Sequence, residues 1–200
     1  MFKKNISSLT SGFTMIEMVV SVGIFVVITT VVLANYQKFL NTVSLSGLAS
    51  EIAVSIRQAQ VYGQNVREFA ESNTFPSYGA FFDANVTGSF ILFADIVGAN
   101  KRYDGSVLCG TSDTECLEKF SIQSRASVVN LCGNMKTGGG TCGLSSLDIA
   151  FTRPNPDASI IGVSNGTPVV YSDAEIVIGA INEAVQKTVV VWANGQISVE

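Results

Sequence analysis

Residues 13–34 form an apolar run of 22 positions in which the only ionisable side chain is Glu17. As a helix rising about 1.5 Å per residue, such a run spans roughly 30 Å, the thickness of a bilayer's hydrocarbon core. Backbone groups in lipid must be hydrogen-bonded internally, so a helix is the form a single segment of this kind takes there. A membrane-spanning helix near the N-terminus is therefore expected. Lys3 and Lys4, the only charges before it, place its leading end in the cytoplasm and the rest of the chain on the far side.

The remaining sequence is long enough for one globular domain. The whole chain is 47% hydrophobic and 14% charged, against roughly 25% charged residues in an ordinary soluble protein. After Ala34 there are 10 Lys/Arg against 15 Asp/Glu, with no basic cluster. Nucleic-acid binding by phosphate neutralisation is not expected. Histidine is absent, which excludes a Ser-His-Asp triad, a Cys-His pair and a His-ligated zinc. No enzymatic activity and no cofactor are expected.

Cys109, Cys116, Cys132 and Cys142 lack the short C-x2-C spacing of common structural zinc sites, and beyond a membrane an even count points to disulfides. Three connectivities are open. Local pairing is favoured because turn-forming residues lie inside each pair: Gly110 to Asp113 in one, Thr137 to Gly140 in the other.

An ordinary secretory signal is cleaved after its apolar region. Here a Gly12-Phe13 junction stands before it, followed by Thr14, Met15, Ile16 and Glu17. In this combination the chain resembles the type IV prepilin family, which includes the pseudopilins of type II secretion. The resemblance implies a leader 1–12 removed by a prepilin peptidase between Gly12 and Phe13, with N-methylation of the new terminus at Phe13. It also implies that Glu17 pairs with the Phe13 amine of a neighbouring subunit during assembly. Its implied partners are other pilin or pseudopilin subunits through the helix, the prepilin peptidase and the inner-membrane assembly platform. Its implied location is the inner membrane, then a pilus or periplasmic pseudopilus. Within the family the likeness is greatest to pseudopilin-H and FimT-type minor subunits, through 48–63 and the final 189–197. One departure is that no proline precedes Pro76, whereas major pilins often carry one within the membrane helix.

From residue 35 to about 70 the pattern becomes one-sided: Tyr36, Phe39, Leu40, Val43, Leu48, Ile52, Ile56, Ala59, Tyr62 and Val66 recur at spacings of three to five. That spacing predicts an amphipathic continuation of the helix, with its final turn weakened by Gly63 and any helix ended by Thr74-Phe75-Pro76-Ser77. Residues 71–200 read as a β-rich domain with strands over 78–83, 89–95, 119–124, 127–131, 146–153, 159–163, 174–180, 188–193 and 196–199. Asn194-Gly195 predicts a type I′ hairpin between the last two. The expected class is α+β: a long helix packed on an antiparallel sheet or small sandwich, which is also the fold the resemblance implies.

Weaker patterns complete the reading. Asp95, Asn100 and Asp104 are weak calcium candidates, because Lys101 and Arg102 intervene and the segment lacks the acidic twelfth residue of an EF-type loop. Gly138 to Gly140 is not followed by the Lys-Ser/Thr of a phosphate loop. Asn85-Val86-Thr87 and Asn165-Gly166-Thr167 fit the N-glycosylation pattern and read as chance matches. Trp192 is expected in the core. Two competing functions are a membrane-anchored binding or adhesion domain that never enters a filament, and an anchored hydrolase using Asp95 and Asp104 as a carboxylate pair.

Overall fold

The computed structural model describes residues 12–65, 75–110, 114–122, 125–180 and 185–200. The leader before Gly12, Val66 and Thr74 lie outside them. One helix, α1 (Met15–Gln64), precedes eleven strands: β1 (Ser77–Asp83), β2 (Ser89–Asp95), β3 (Cys116–Ser121), β4 (Ala126–Gly133), β5 (Thr141–Cys142), β6 (Ser146–Phe151), β7 (Ala158–Ser164), β8 (Thr167–Tyr171), β9 (Asp173–Ala180), β10 (Gln186–Trp192) and β11 (Ile197–Val199). The chain divides into two compact units, Met1–Leu40 and Asn41–Glu200.

In the first unit no residue of the membrane-length apolar stretch is buried. Three of its polar side chains bond back to the helix's own backbone. Thr29 and Thr30 donate from Oγ1 to the carbonyls of Phe25 and Val26 at 2.8 Å, and Asn35 Nδ2 donates to Val31 O at 3.0 Å. Each bond returns to the residue four positions back, so the run presents apolar atoms outward with few free donors.

In the second unit α1 buries Leu45, Leu48, Ala49, Ile52, Ile56, Ala59 and Gly63, spacings of one to four that form a single stripe. Val43, which the sequence pattern assigned to this face, is 53% exposed. The 3.6-residue period carries the stripe back from Leu48 to Leu45, and Val43 falls on the opposite side. Gly63 does not merely weaken the last turn: a Cβ there would collide with the backbone carbonyl of Phe151. Glycine is what lets α1 close on β6.

The strands form two antiparallel sheets, ordered β3-β2-β1-β6-β7-β8 and β11-β10-β9-β4-β5. One core joins α1 to both. It takes Phe82, Phe90, Leu147, Ile149 and Ile160 from the first sheet and Val128, Leu131, Ile176, Ile178, Val189 and Val191 from the second. Burying each large aliphatic or aromatic side chain contributes about 1.5–3 kcal/mol, so this shared interior defines the domain. Trp192, expected in the core, is only half-buried.

The two Asn-Gly pairs form different turns, and the type I′ turn expected at Asn194-Gly195 is found at the other pair. Asn165 and Gly166 both have positive φ, 51° and 78°, and join β7 to the unforeseen β8 with Ser164 paired to Thr167, as in a type I′ turn. At Asn194-Gly195 only Gly195 is positive, at 82°. Trp192 N–H donates to Gln196 O at 2.9 Å, and Gly195 N–H donates to Trp192 O at 2.8 Å. The final hairpin therefore closes through a three-residue loop, 193–195, in place of the expected two-residue turn.

Candidate functional site: the helix head and the loop between β2 and β3

The residues at the head of α1 are set by local capping. Thr14 lies just before the helix, and its Oγ1 accepts the N–H of Glu17 at 3.3 Å. Thr14-x-x-Glu17 is the pattern of a capping box, and an acid in the first turn also complements the positive end of the helix dipole. Thr14 was not singled out from the sequence as a cap, although the Thr-x-x-Glu spacing alone would have shown it. Gly12 and Phe13 precede the helix and are exposed, Phe13 at 79%. The structure thus places Gly12, Phe13 and Glu17 within little more than one turn, at the end of a helix whose apolar side chains have no covering in their own unit.

The second cluster is the described part of the loop between β2 and β3, residues 96–110 with 114 and 115, whose Tyr103 lies on the outer face of the six-stranded sheet. Tyr103 anchors it, with its ring centroid 5.1 Å from Phe81 and 5.7 Å from Phe93, in a small apolar cluster with Ile91 and Ala150. Three buried carboxylates hold its backbone. Glu115 Oε1 accepts the N–H groups of Ile96 at 3.0 Å and Val97 at 2.7 Å, and its Oε2 accepts that of Asp104 at 2.8 Å. Asp95 Oδ2 accepts Lys101 N–H at 2.7 Å, and Asp148 Oδ1 accepts Tyr103 N–H at 2.9 Å. Arg102 Nε stands 3.5 Å from Asp148 Oδ2.

Burial pushes the Asp148 carboxyl up to about 7, against the lowering effects of the Tyr103 N–H and of Arg102. Asp95 is also raised, first by burial and further by the nearby Glu115 and Asp104 charges, while the Lys101 N–H opposes the shift.

The weak calcium candidates Asp95, Asn100 and Asp104 all lie in or beside this loop and bond within it. Asn100 Oδ1 accepts Arg102 N–H at 2.9 Å, Asn100 Nδ2 donates to Asp104 Oδ2 at 2.8 Å, and Asp95 Oδ2 is taken by Lys101. A calcium loop turns oxygens toward a central cation. Here backbone donors converge on a central anion, Glu115, and among the described residues no group of three acids or cysteines could hold a metal. Of Asp95 and Asp104, the suggested hydrolytic pair, Asp95 accepts a loop backbone N–H and Asp104 accepts the side-chain amide of Asn100. Glu115 gave no signal in the sequence, being one acid between a turn and a cysteine.

Both local disulfides are present, Cys109 to Cys116 with Cα atoms 5.6 Å apart and Cys132 to Cys142 with Cα atoms 4.0 Å apart. The first closes the loop onto β3, and the second ties β5 to β4. Asp173, fully buried, organises the segment within the second pair by accepting Thr137 N–H and Oγ1 at 3.0 and 2.8 Å. No protein-family profile, curated protein or solved structure matches this chain.

Proposed function

We propose that the chain is a structural subunit of pilin or pseudopilin type, processed between Gly12 and Phe13, methylated at Phe13 and assembled through α1. The observation that carries this reading is the Gly12-Phe13 junction at the head of an uncovered apolar run, 13–34, whose one carboxylate, Glu17, lies a single turn inside it. A carboxylate within a membrane segment costs several kcal/mol unless partnered. Cleavage before Phe13 would create a cationic amine one helical turn away, and the same amine on an adjacent subunit offers Glu17 its partner. Association of such helices draws on side-chain packing and polar pairing, because lipid already matches their apolar surface.

On this reading the partners are other pilin-type subunits, the prepilin peptidase and an inner-membrane assembly platform. The β-rich unit faces the extracytoplasmic side, where its two disulfides are stable. The test is co-purification of the intact protein with other pilin-type subunits, with and without Glu17→Ala. The proposal expects co-purification that the substitution abolishes while membrane insertion persists. A domain that merely anchors in the membrane would capture no such subunits, and the substitution would then change nothing.

A further inference from the structure

The two Asn-x-Thr sequences differ in what surrounds them. Asn165 sits at the apex of the β7–β8 turn with Val163 two positions before it. Asn85 lies in the turn between β1 and β2, in the sequence Asp83-Ala84-Asn85-Val86-Thr87. Asn85 and Thr87 are exposed. The turn is fixed by Val86 N–H donating to Asp83 O at 3.0 Å, by Ala84 N–H donating to Ser145 O at 3.0 Å and by Val128 N–H donating to Thr87 O at 3.2 Å. Asp83 Oδ1 accepts both the backbone N–H of Asn85 at 2.7 Å and its side-chain Nδ2 at 3.0 Å. Charge-assisted bonds of this kind restrict the amide to one orientation, so the side chain is held at the surface with its acid two residues before and its threonine two residues after.

We infer that Asn85 is a glycan acceptor, modified by an oligosaccharyltransferase that reads an acidic residue at the second position before the asparagine and a hydroxyl at the second position after it. The donor class is an oligosaccharide linked through its anomeric carbon to a polyprenyl diphosphate. Asn85 Nδ2 forms the new bond to that carbon, the carbon–oxygen bond to the diphosphate breaks, and polyprenyl diphosphate leaves with the electron pair. One Nδ2 proton passes to a base on the transferase. Asp83 acts as a positioning residue, and its absence at Asn165 selects between the two sequences. The inference rests on the extracytoplasmic placement of the β-rich unit, since lipid-linked donors are used on that side of the membrane.

The test is co-expression of the full chain with a bacterial oligosaccharyltransferase of this specificity and its lipid-linked donor. A strong acceptor peptide is appended at the C-terminus, and glycans are mapped by mass spectrometry. The expected result is one glycan at Asn85 besides that on the appended peptide, lost in Asn85→Gln and in Thr87→Val and reduced in Asp83→Ala. Modification of the peptide with none at Asn85, or modification at Asn165 in its place, overturns the inference while leaving the topology intact. Modification of neither shows that the domain does not reach the donor, and topology and inference fall together.

Discussion

Arg57 on α1 donates from Nη2 to the backbone carbonyl of Ile197 on β11 at 3.2 Å. Three residues further along the helix, Gln60 Nε2 reaches Gly195 O at 3.0 Å and Pro156 O at 3.3 Å. The last hairpin is thus tied to the helix by polar contacts as well as by the shared core. β11 is three residues long and pairs with β10 alone among the described strands, so these contacts add to that pairing and to the burial of Ile197 in holding it.

Removal of the guanidinium should loosen this end first. Arg57→Ala is expected to cost about 1–2 kcal/mol, the range for a hydrogen bond to a charged donor that is partly exposed. Urea titration of the detergent-solubilised protein measures it. Amide exchange should rise over 197–199 before it rises over β9.

Gly63→Ala should be more damaging than an ordinary helix substitution. Alanine favours a helix by up to about 1 kcal/mol over glycine, yet here the added methyl meets the Phe151 carbonyl and Cβ. Overpacking of this kind costs roughly 1–3 kcal/mol, so a net loss of stability is predicted where propensity alone predicts a gain. A rise in the denaturation midpoint would show that α1 and β6 can separate freely.

Asp148 gives the domain a pH dependence of definite sign. Its carboxyl is raised from 3.8 to about 7 in the folded protein, so the native state holds a proton that the unfolded chain releases. The stabilisation from that proton is complete below about pH 4 and is lost as pH rises through about 7. Asp148→Asn should therefore flatten the stability profile across this window, by on the order of 1 kcal/mol per pH unit. The measurement is the difference in denaturation midpoint between wild type and variant from pH 4.5 to pH 8.

The Cys109–Cys116 bridge should stabilise the loop that Glu115 organises. Closing a loop this short limits the unfolded chain by about 2–3 kcal/mol, and Cys109→Ser with Cys116→Ser should lose a comparable amount. Reduced fluorescence anisotropy of a probe at Leu108, an exposed residue beside the bridge, is expected in the variant. An unchanged anisotropy and midpoint would mean that the carboxylates alone fix the loop.

Much of the architecture was legible from local pattern. The apolar run and the absence of proline before Pro76 predict α1. Alternation predicts eight of the nine expected strands to within about two residues at each end, and β3 begins three residues before the expected 119. Other features depended on contacts distant in sequence. β8 was missed because Pro168 speaks against a strand, yet the residue occupies an outer edge, where no neighbouring strand needs its N–H. β5 is two residues long and is placed by pairing with β4 at the Cys132–Cys142 bridge, which no local preference encodes. Asp148 alternates with Leu147 and Ile149 and reads as solvent-facing; it is buried because the loop anchored by Tyr103 covers that face. The Asn194-Gly195 turn departs from the expected type because turn type depends on how many residues the flanking strands leave between their last hydrogen-bonded pair. At the site, Gly12, Phe13 and Glu17 were legible as a motif, whereas Glu115 acquires its role only when folding brings the backbone of 96–104 around it.

The most direct measurement is the mass of the N-terminal peptide of the protein isolated from membranes of a host that expresses a prepilin peptidase. The account predicts a chain that begins at Phe13 and carries one methyl group on its α-amine. A polypeptide that retains Met1 to Gly12, or that begins after the apolar run, would contradict it.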